Sequence, residues 1–264
     1  MALDPGTKSL FPRHRPFSQD LAHLVTALLE QNAIEPVKNQ LCFQSTIFQV
    51  PKASGSSRLI LNLKPLNPFL RAPRFKLLNH QSVRDILPRN AWLASLDIKD
   101  AYLHVPIAKK MRKFLAFSHD NQLYFFRALP FGLTSAPYVF TRLMNFPLTI
   151  LRKEGINVLA YLDDWLFWDI DRDSLTRALR RASELLQHLG WIVNVEKSNL
   201  IPSQDLVWLG VRWQPKIFKV ALPSPLIERI LRDTQNLLDS RVTTLRTLEQ
   251  IQGLLNFAAH FLPE

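Results

Sequence analysis

With 264 residues, 47% hydrophobic and 21% charged, the sequence is long enough to bury one large core or the cores of two or three subdomains. Its 33 Lys and Arg exceed 22 Asp and Glu to give a net charge of +11, a balance that points to a polyanionic partner. One cysteine, Cys42, excludes an internal disulfide and a cysteine-based zinc site, and no stretch approaches the roughly 18 apolar residues of a membrane span.

The N-terminal MALDPGTKSLFPRHRPF lacks the apolar core of a signal peptide, so an intracellular protein, in cytoplasm or nucleus and without a membrane partner, is expected. Residues 1–17 read as extended. Ser18 and Asp20 then open an amphipathic helix with Leu21, Leu24, Val25, Leu28 and Leu29 on one face. Thr46–Pro51 and Leu59–Leu63 read as strands joined by a small-residue basic turn, Lys52 to Ser57. Between Val37 and Asn90 stand nine basic residues and one acid, Asp85. A Pro-punctuated connector, Lys64–Arg74, leads to a short helix near Ser82–Leu87, and Leu93–Ile98 is a strand carrying Asp97 at its end.

Phe114–Ser118 and Leu123–Arg127 form a hairpin around Asp120 and Asn121. Leu129–Gly132 is a turn before a helix from Ser135 to Lys153, with Pro137 suited to its first turn and Pro147 expected to kink it. Asn157–Ile170, NVLAYLDDWLFWDI, reads as strand, tight acidic turn, strand, with Asp163 and Asp164 at the tip. Asp171 and Asp173 cap a helix with Arg177, Arg180 and Arg181 exposed, ending at Gly190. Trp191–Val195 and Leu206–Trp213 read as strands, and amphipathic helices over Leu226–Leu238 and Leu245–Phe261 come next. The irregular alternation of strands and helices predicts an α+β fold. With seven glycines and no GxxxxGK[ST] or GxGxxG, no Gly-rich phosphate loop is expected.

The chemistry centres on carboxylates. Adjacent Asp163 and Asp164 repel, which a protein tolerates most readily where a cation sits, although a bare Asp pair also fits an ordinary surface turn. Asp97 ends an apolar strand 66 residues before Asp163. If the two strands are neighbours, Asp97 faces the hairpin tip and completes a site for two divalent cations, about 3.5–4 Å apart, suited to phosphoryl transfer from a triphosphate. Oxygen ligands point to Mg²⁺, with Mn²⁺ as its substitute. Asp100, three residues on, is expected to cap a helical turn.

SLDIKDAYLHVPI, LPFGLTSAPYVF, YLDDW, LGWIVNVEKS and VWLGVRW, with RLILNLKPLN upstream, occur in the order and spacing of reverse transcriptase motifs. The sequence resembles reverse transcriptases of retrotransposons over roughly residues 20–262, nearest the gypsy and DIRS-like groups. Trp165 after YLDD and the ending LEQIQGLLNFAAHFLP incline to the DIRS-like side.

The same resemblance implies roles for individual residues. By it, Asp97 and Asp163 match metal ligands, Asp164 the second carboxylate of the motif, and Ile98 a carbonyl donor. Tyr102 matches the gate that excludes a 2′-hydroxyl and selects dNTP over rNTP; alone it would equally read as a core aromatic. Lys52 and Arg58 fall on the hairpin that grips the triphosphate, Arg by bidentate contact and Lys as a point charge, though singly each also reads as a surface charge. Phe131 stands where retroviral enzymes have Gln, leaving the dNTP contact apolar, and Gly132 allows close backbone approach. Lys197 matches the residue proposed to protonate pyrophosphate, with a solvated lysine as the rival. Leu209 and Gly210 match the primer grip, a tight turn against the primer end.

The resemblance implies a right-hand polymerase with its palm built on an antiparallel sheet. An N-terminal extension and helix (1–34) precede fingers (35–90 and 107–130), palm (91–106 and 131–213) and a partial thumb (222–264). The expected function is RNA-directed DNA synthesis on an RNA or DNA primer–template from dNTPs, with two Mg²⁺. An RNase H constellation is not expected in this sequence, which reads as a fragment, a degenerate copy or one product of a polyprotein. The rivals are a domesticated or decayed element that binds nucleic acid without catalysis, and an RNA-dependent RNA polymerase, against which Tyr102 speaks. Oligomeric state is not legible.

Overall fold

The computed structural model describes residues 19–38, 40–51, 55, 57–240 and 242–261. Ser18 and Lys52 lie outside them, as does most of the expected turn after Pro51. In chain order the chain forms α1 (Gln19–Glu30), β1 (Ile34–Val37), β2 (Ile47–Pro51), β3 (Ser57–Leu61), α2 (His80–Ile86) and β4 (Trp92–Asp97). Then come α3 (Lys109–Arg112), β5 (Ala116–His119), β6 (Gln122–Phe126), α4 (Ala136–Lys153), β7 (Val158–Tyr161), β8 (Asp164–Asp169) and α5 (Arg172–His188). Last are β9 (Asn199–Ser203), β10 (Leu206–Trp208), β11 (Val211–Gln214), β12 (Lys219–Ala221), α6 (Ser224–Asp239) and α7 (Leu245–Ala259). Two compact units emerge, one from residues up to Phe75 with Asp100–Leu143, the other from Lys76–Lys99 with Met144 onwards.

In the first unit an antiparallel sheet ordered β1-β6-β5 accompanies the β2–β3 hairpin. The apolar stripe of α1 packs Val25 against Ile34, Leu59, Leu61, Leu63, Phe117 and Phe126, which is why a period-3.6 pattern was readable there. The β5–β6 hairpin turns through Asp120 and Asn121, both left-handed at φ 48° and 60°, as a two-residue type I′ turn requires. Arg112 Nη1 donates to both carboxylate oxygens of Glu35, at 3.0 and 3.1 Å.

The second unit holds an antiparallel sheet ordered β7-β8-β4-β9. Its central strands β4 and β8 bury four consecutive residues each, so both faces are covered. On one face Leu93, Leu166 and Trp168 join Val83, Leu206, Trp208, Val211 and Trp213, from α2 and the small β10-β11-β12 sheet. Helix α5 packs on β4, β8 and β9, burying Leu175, Leu179, Ala182, Leu185 and Leu186. Asp171 caps it by accepting from the Ser174 N–H at 2.7 Å, while Asp173 sits inside its first turn.

Several expectations need correction. Trp191–Val195 is β-prone but forms no strand. Its hydrogen bonds go to the end of β4, through Lys99 N–H to Ile192 O and Asn194 N–H to Asp97 O, and the chain then curls through Asn194–Ser198. Leu206–Trp213 is two strands, split where Leu209 and Gly210 turn left-handed at φ 50° and 74°. Strands β1 and β9 escaped sequence reading because each carries a proline, Pro36 or Pro202, which both tolerate as sheet edges. The three-residue β12 is too short to leave a pattern. Asp100 precedes the 3-10 turn Ala101–His104 with φ 47°, but its side chain makes no capping bond. Helix α4 continues through Pro147, whose ring withholds one backbone donor.

Candidate active site

The acidic hairpin is not turned as expected. Tyr161 pairs with Asp164, so the two-residue turn is Leu162-Asp163, and Asp164 is already the first residue of β8. Leu162 is left-handed at φ 55°, a conformation costly for a branched side chain and met at functional turns. The buried indole of Trp165 donates to Leu162 O at 3.2 Å and steadies that turn from below.

Register brings the acids together. Strands β4 and β8 pair from Trp92↔Asp169 to Asp97↔Asp164. Since side chains alternate, Asp97 and Asp164 project from the same face as Leu93 and Trp168. Asp163 is tied in through Ile98 N–H to Asp163 O at 2.9 Å. Like charges directly opposite on a sheet are unfavourable, so the carboxylates at this end of the sheet repel one another.

The carboxylates are held by neutral donors. Asn194 Nδ2–H donates to Asp97 Oδ1 at 2.9 Å, and the Asp97 N–H donates to Ser198 Oγ at 3.0 Å. Ser198 Oγ–H in turn donates to Asn194 O at 2.7 Å. Trp208 Nε1–H donates to Asp164 Oδ1 at 2.7 Å. Burial pushes the Asp164 carboxyl up to about 6; the Trp208 hydrogen bond pulls against it, and the charges of Asp97 and Asp163 add to the rise.

These groups open onto a cleft of about 410 Å³ lined by Asp97, Asp164, Lys197, Trp208, Leu209 and Gly210. Among the described residues no three His, Cys, Asp or Glu converge tightly enough to hold an ion alone. Mg²⁺ takes hard oxygen donors and is commonly completed by water and substrate phosphates. Hard oxygen donors in mutual repulsion therefore fit a divalent cation, and such a site can support in-line phosphoryl transfer.

The remaining predicted residues fall in the first unit. The Arg58 guanidinium lies 4.2 Å from the centroid of the Phe131 ring. Tyr102 packs on Phe131 at 5.1 Å and on Phe140 at 5.4 Å. Arg58, Phe131 and Tyr102, separate in sequence, thus make one cationic–aromatic cluster. Gly132 is left-handed at φ 94°, and a Cβ there would meet Leu61 O at 3.1 Å. Asn67 braces this turn, donating to Gly132 O at 2.9 Å and accepting from the Thr134 N–H at 3.0 Å. Sequence reasoning missed Asn67, Asn194, Ser198 and Trp208. All four lie inside quoted motifs, but nothing in a motif says which of its members touches an acid or braces a turn.

An antiparallel sheet presents three carboxylates at one end, with a helix packed on its other face, on an α+β polymerase fold. The chain belongs to the reverse transcriptase (RNA-dependent DNA polymerase) family, whose sequence profile matches residues 50–213. That family generally uses divalent metal ions. The chain is 25% identical over 264 residues to the Pro-Pol polyprotein of Simian foamy virus type 1, covering 99% of this chain and 21% of that protein. Against the Gag-Pol polyprotein of Rous sarcoma virus subgroup B it is 30% identical over 186 residues, 67% of this chain and 11% of that one. The chain thus spans about a fifth or less of these relatives. In structure it is similar to the foamy viral protease-reverse transcriptase dRH in complex with dsDNA, with TM-score 0.79 and 22% identity, covering 98% of this chain and 44% of that one. The foamy viral protease-reverse transcriptase in complex with RNA/DNA hybrid gives 0.76 and 21%, covering 94% and 32%. Among the described residues no helix is long and apolar enough to cross a membrane.

Proposed function

We propose that this chain is an RNA-directed DNA polymerase that extends a primer on an RNA or DNA template from dNTPs, within a retrotransposon of the gypsy/DIRS-like group. The register that sets Asp97 opposite Asp164, with Asp163 in the adjoining turn, carries the proposal. Two Mg²⁺ (or Mn²⁺) held by Asp97, Asp163, Asp164 and the Ile98 carbonyl would supply charge to activate a primer 3′-hydroxyl and stabilise the leaving pyrophosphate. Lys197, on the same cleft wall as Asp97 and Asp164, gives its Nζ proton to that leaving group. The Leu209-Gly210 turn presses the primer end toward the carboxylates.

Tyr102 underlies the deoxyribose and excludes a 2′-hydroxyl, its ring fixed by Phe131 and Phe140. Arg58, steered by the Phe131 ring, grips the triphosphate with Lys52. In this assignment fingers span 35–90 and 107–130, palm 91–106 and 131–213, and thumb 222–264. Trp165 after YLDD supports the DIRS-like side.

Extension of oligo(dT) on poly(rA) with Mg²⁺ tests the proposal. The wild-type chain is expected to add dTMP, and Asp97→Asn or Asp163→Asn to keep less than about a tenth of that activity with duplex binding intact. A folded wild-type chain that binds the duplex and adds nothing would overturn the polymerase in favour of a non-catalytic nucleic-acid binder.

A further inference from the structure

Asp164 is reached by a side chain from outside its own sheet. Trp208, only 2% exposed, sends its indole N–H to Asp164 Oδ1 at 2.7 Å, at the short end for a nitrogen donor. An indole is a donor only and carries no charge. It can therefore fix the plane of a carboxylate without neutralising it, where a Lys or Arg would compete with a cation for the same charge. The tryptophan is itself fixed. Its carbonyl accepts the Trp213 indole N–H at 3.1 Å, and its backbone pairs with Val211 to close the Leu209-Gly210 turn. One residue on, Leu209 O is bonded by His80 Nε2 at 3.0 Å. The His80 ring meets Phe257 and Phe261 edge-on, at 5.5 and 5.3 Å.

A continuous chain of contacts thus runs from the catalytic acid through Trp208 to the turn, and from the turn through His80 to α7. We propose that Trp208 is a positioning residue: it aims the Asp164 carboxylate and locks it to the Leu209-Gly210 turn, so that primer end and catalytic acid are placed as one body. This rests on the polymerase function above. Displacement of the turn by a misaligned primer end rotates Asp164, and addition slows before the substrate is released.

Trp208→Phe keeps the buried ring and removes the donor. In single-nucleotide addition the half-saturating Mg²⁺ concentration should rise, or the maximal rate fall, by about 10- to 100-fold, the usual cost of losing a partner that orients a metal ligand. The KM for dNTP and the Kd for duplex should stay within about twofold, since the indole N–H is spent on Asp164 and Phe keeps the ring. The second measurement needs no turnover. In full-length chain with ¹⁵N-labelled indoles, the Trp208 Nε1–H resonance, identified by its absence from Trp208→Phe, should shift upfield and exchange faster in Asp164→Ala. It should also move when Mg²⁺ alone is added to wild type.

Wild-type Mg²⁺ dependence and rate in a folded Trp208→Phe would overturn the proposal. So would an indole resonance indifferent to both Asp164→Ala and Mg²⁺, which decides the matter if Trp208→Phe does not fold. A wild-type chain that extends no primer counts against the polymerase function, and the resonance then decides the contact by itself.

Discussion

Replacing Asp164 by Asn should stabilise this protein at neutral pH and not at acid pH. In the folded chain the carboxyl is raised from 3.8 to about 6. A raised carboxyl favours folding while protonated, so its contribution is complete below about 3.8 and is lost as pH climbs through about 6. Between pH 4 and pH 7.5 a single group with those two values costs the fold about 2 kcal/mol, taking about 1.4 kcal/mol for each unit of displacement. Asn cannot ionise, yet its amide oxygen can still accept from Trp208, so it escapes the penalty at little loss of contact. At about 2–4 °C per kcal/mol for a chain near this size, the melting temperature of Asp164→Asn should gain about 5 °C on wild type as pH rises over that range. Calorimetry with EDTA present, so that no cation repays the charge, gives both curves directly. A gap between the two proteins that does not widen from pH 4 to pH 7.5 would refute the reasoning, since burial and repulsion at Asp164 would then be absent.

The same geometry has other measurable outcomes. The half-saturating Mg²⁺ concentration for single-nucleotide addition should fall as pH rises through about 6, because the cation competes with the proton on Asp164. Tyr102→Ala should lower the ratio of dNTP to rNTP incorporation efficiency, and an unchanged ratio would demote Tyr102 to a packing residue. Gly132→Ala should destabilise by about 1–2 kcal/mol in urea unfolding, because the alanine would be left-handed and its Cβ would crowd Leu61 O. Duplex binding by this +11 chain should weaken with salt, log K falling about 0.7–0.9 per phosphate contacted for each decade.

Much of the frame was legible because it is written in local signals. The stripe of α1, the Asp171 cap of α5 and the Asp120-Asn121 turn each depend on neighbours in sequence. The pairing of Asp97 with Asp164 was conditional in the sequence, since only adjacency of β4 and β8 makes it real, and no periodicity encodes adjacency. The place of the hairpin turn was misread by one residue: Asp pairs favour turns, yet the ladder continues through Tyr161↔Asp164 and forces Leu162 to bend instead. Trp208 was invisible as a partner of Asp164 for another reason. Its 44-residue separation is bridged by packing of a second small sheet on the first, and a buried tryptophan reads as core from sequence alone.

The acid centre draws on Asp97, on the Leu162–Trp165 turn, on Asn194 and Ser198, and on Trp208. During synthesis these emerge over more than a hundred residues, and β4, made early, waits for both of its neighbours: β8 some 70 residues later and β9 about 100. Pairings of such sequence separation carry a large loop-closure cost and form slowly. Until β9 and Trp208 leave the ribosome, the nascent chain displays an unpaired β4 edge and an acidic tip with no indole donor. The half-made sheet is thus the stage most open to aggregation and chaperone capture. A stop codon between residues 165 and 208 would yield a product that retains all three aspartates but cannot assemble the cleft around them.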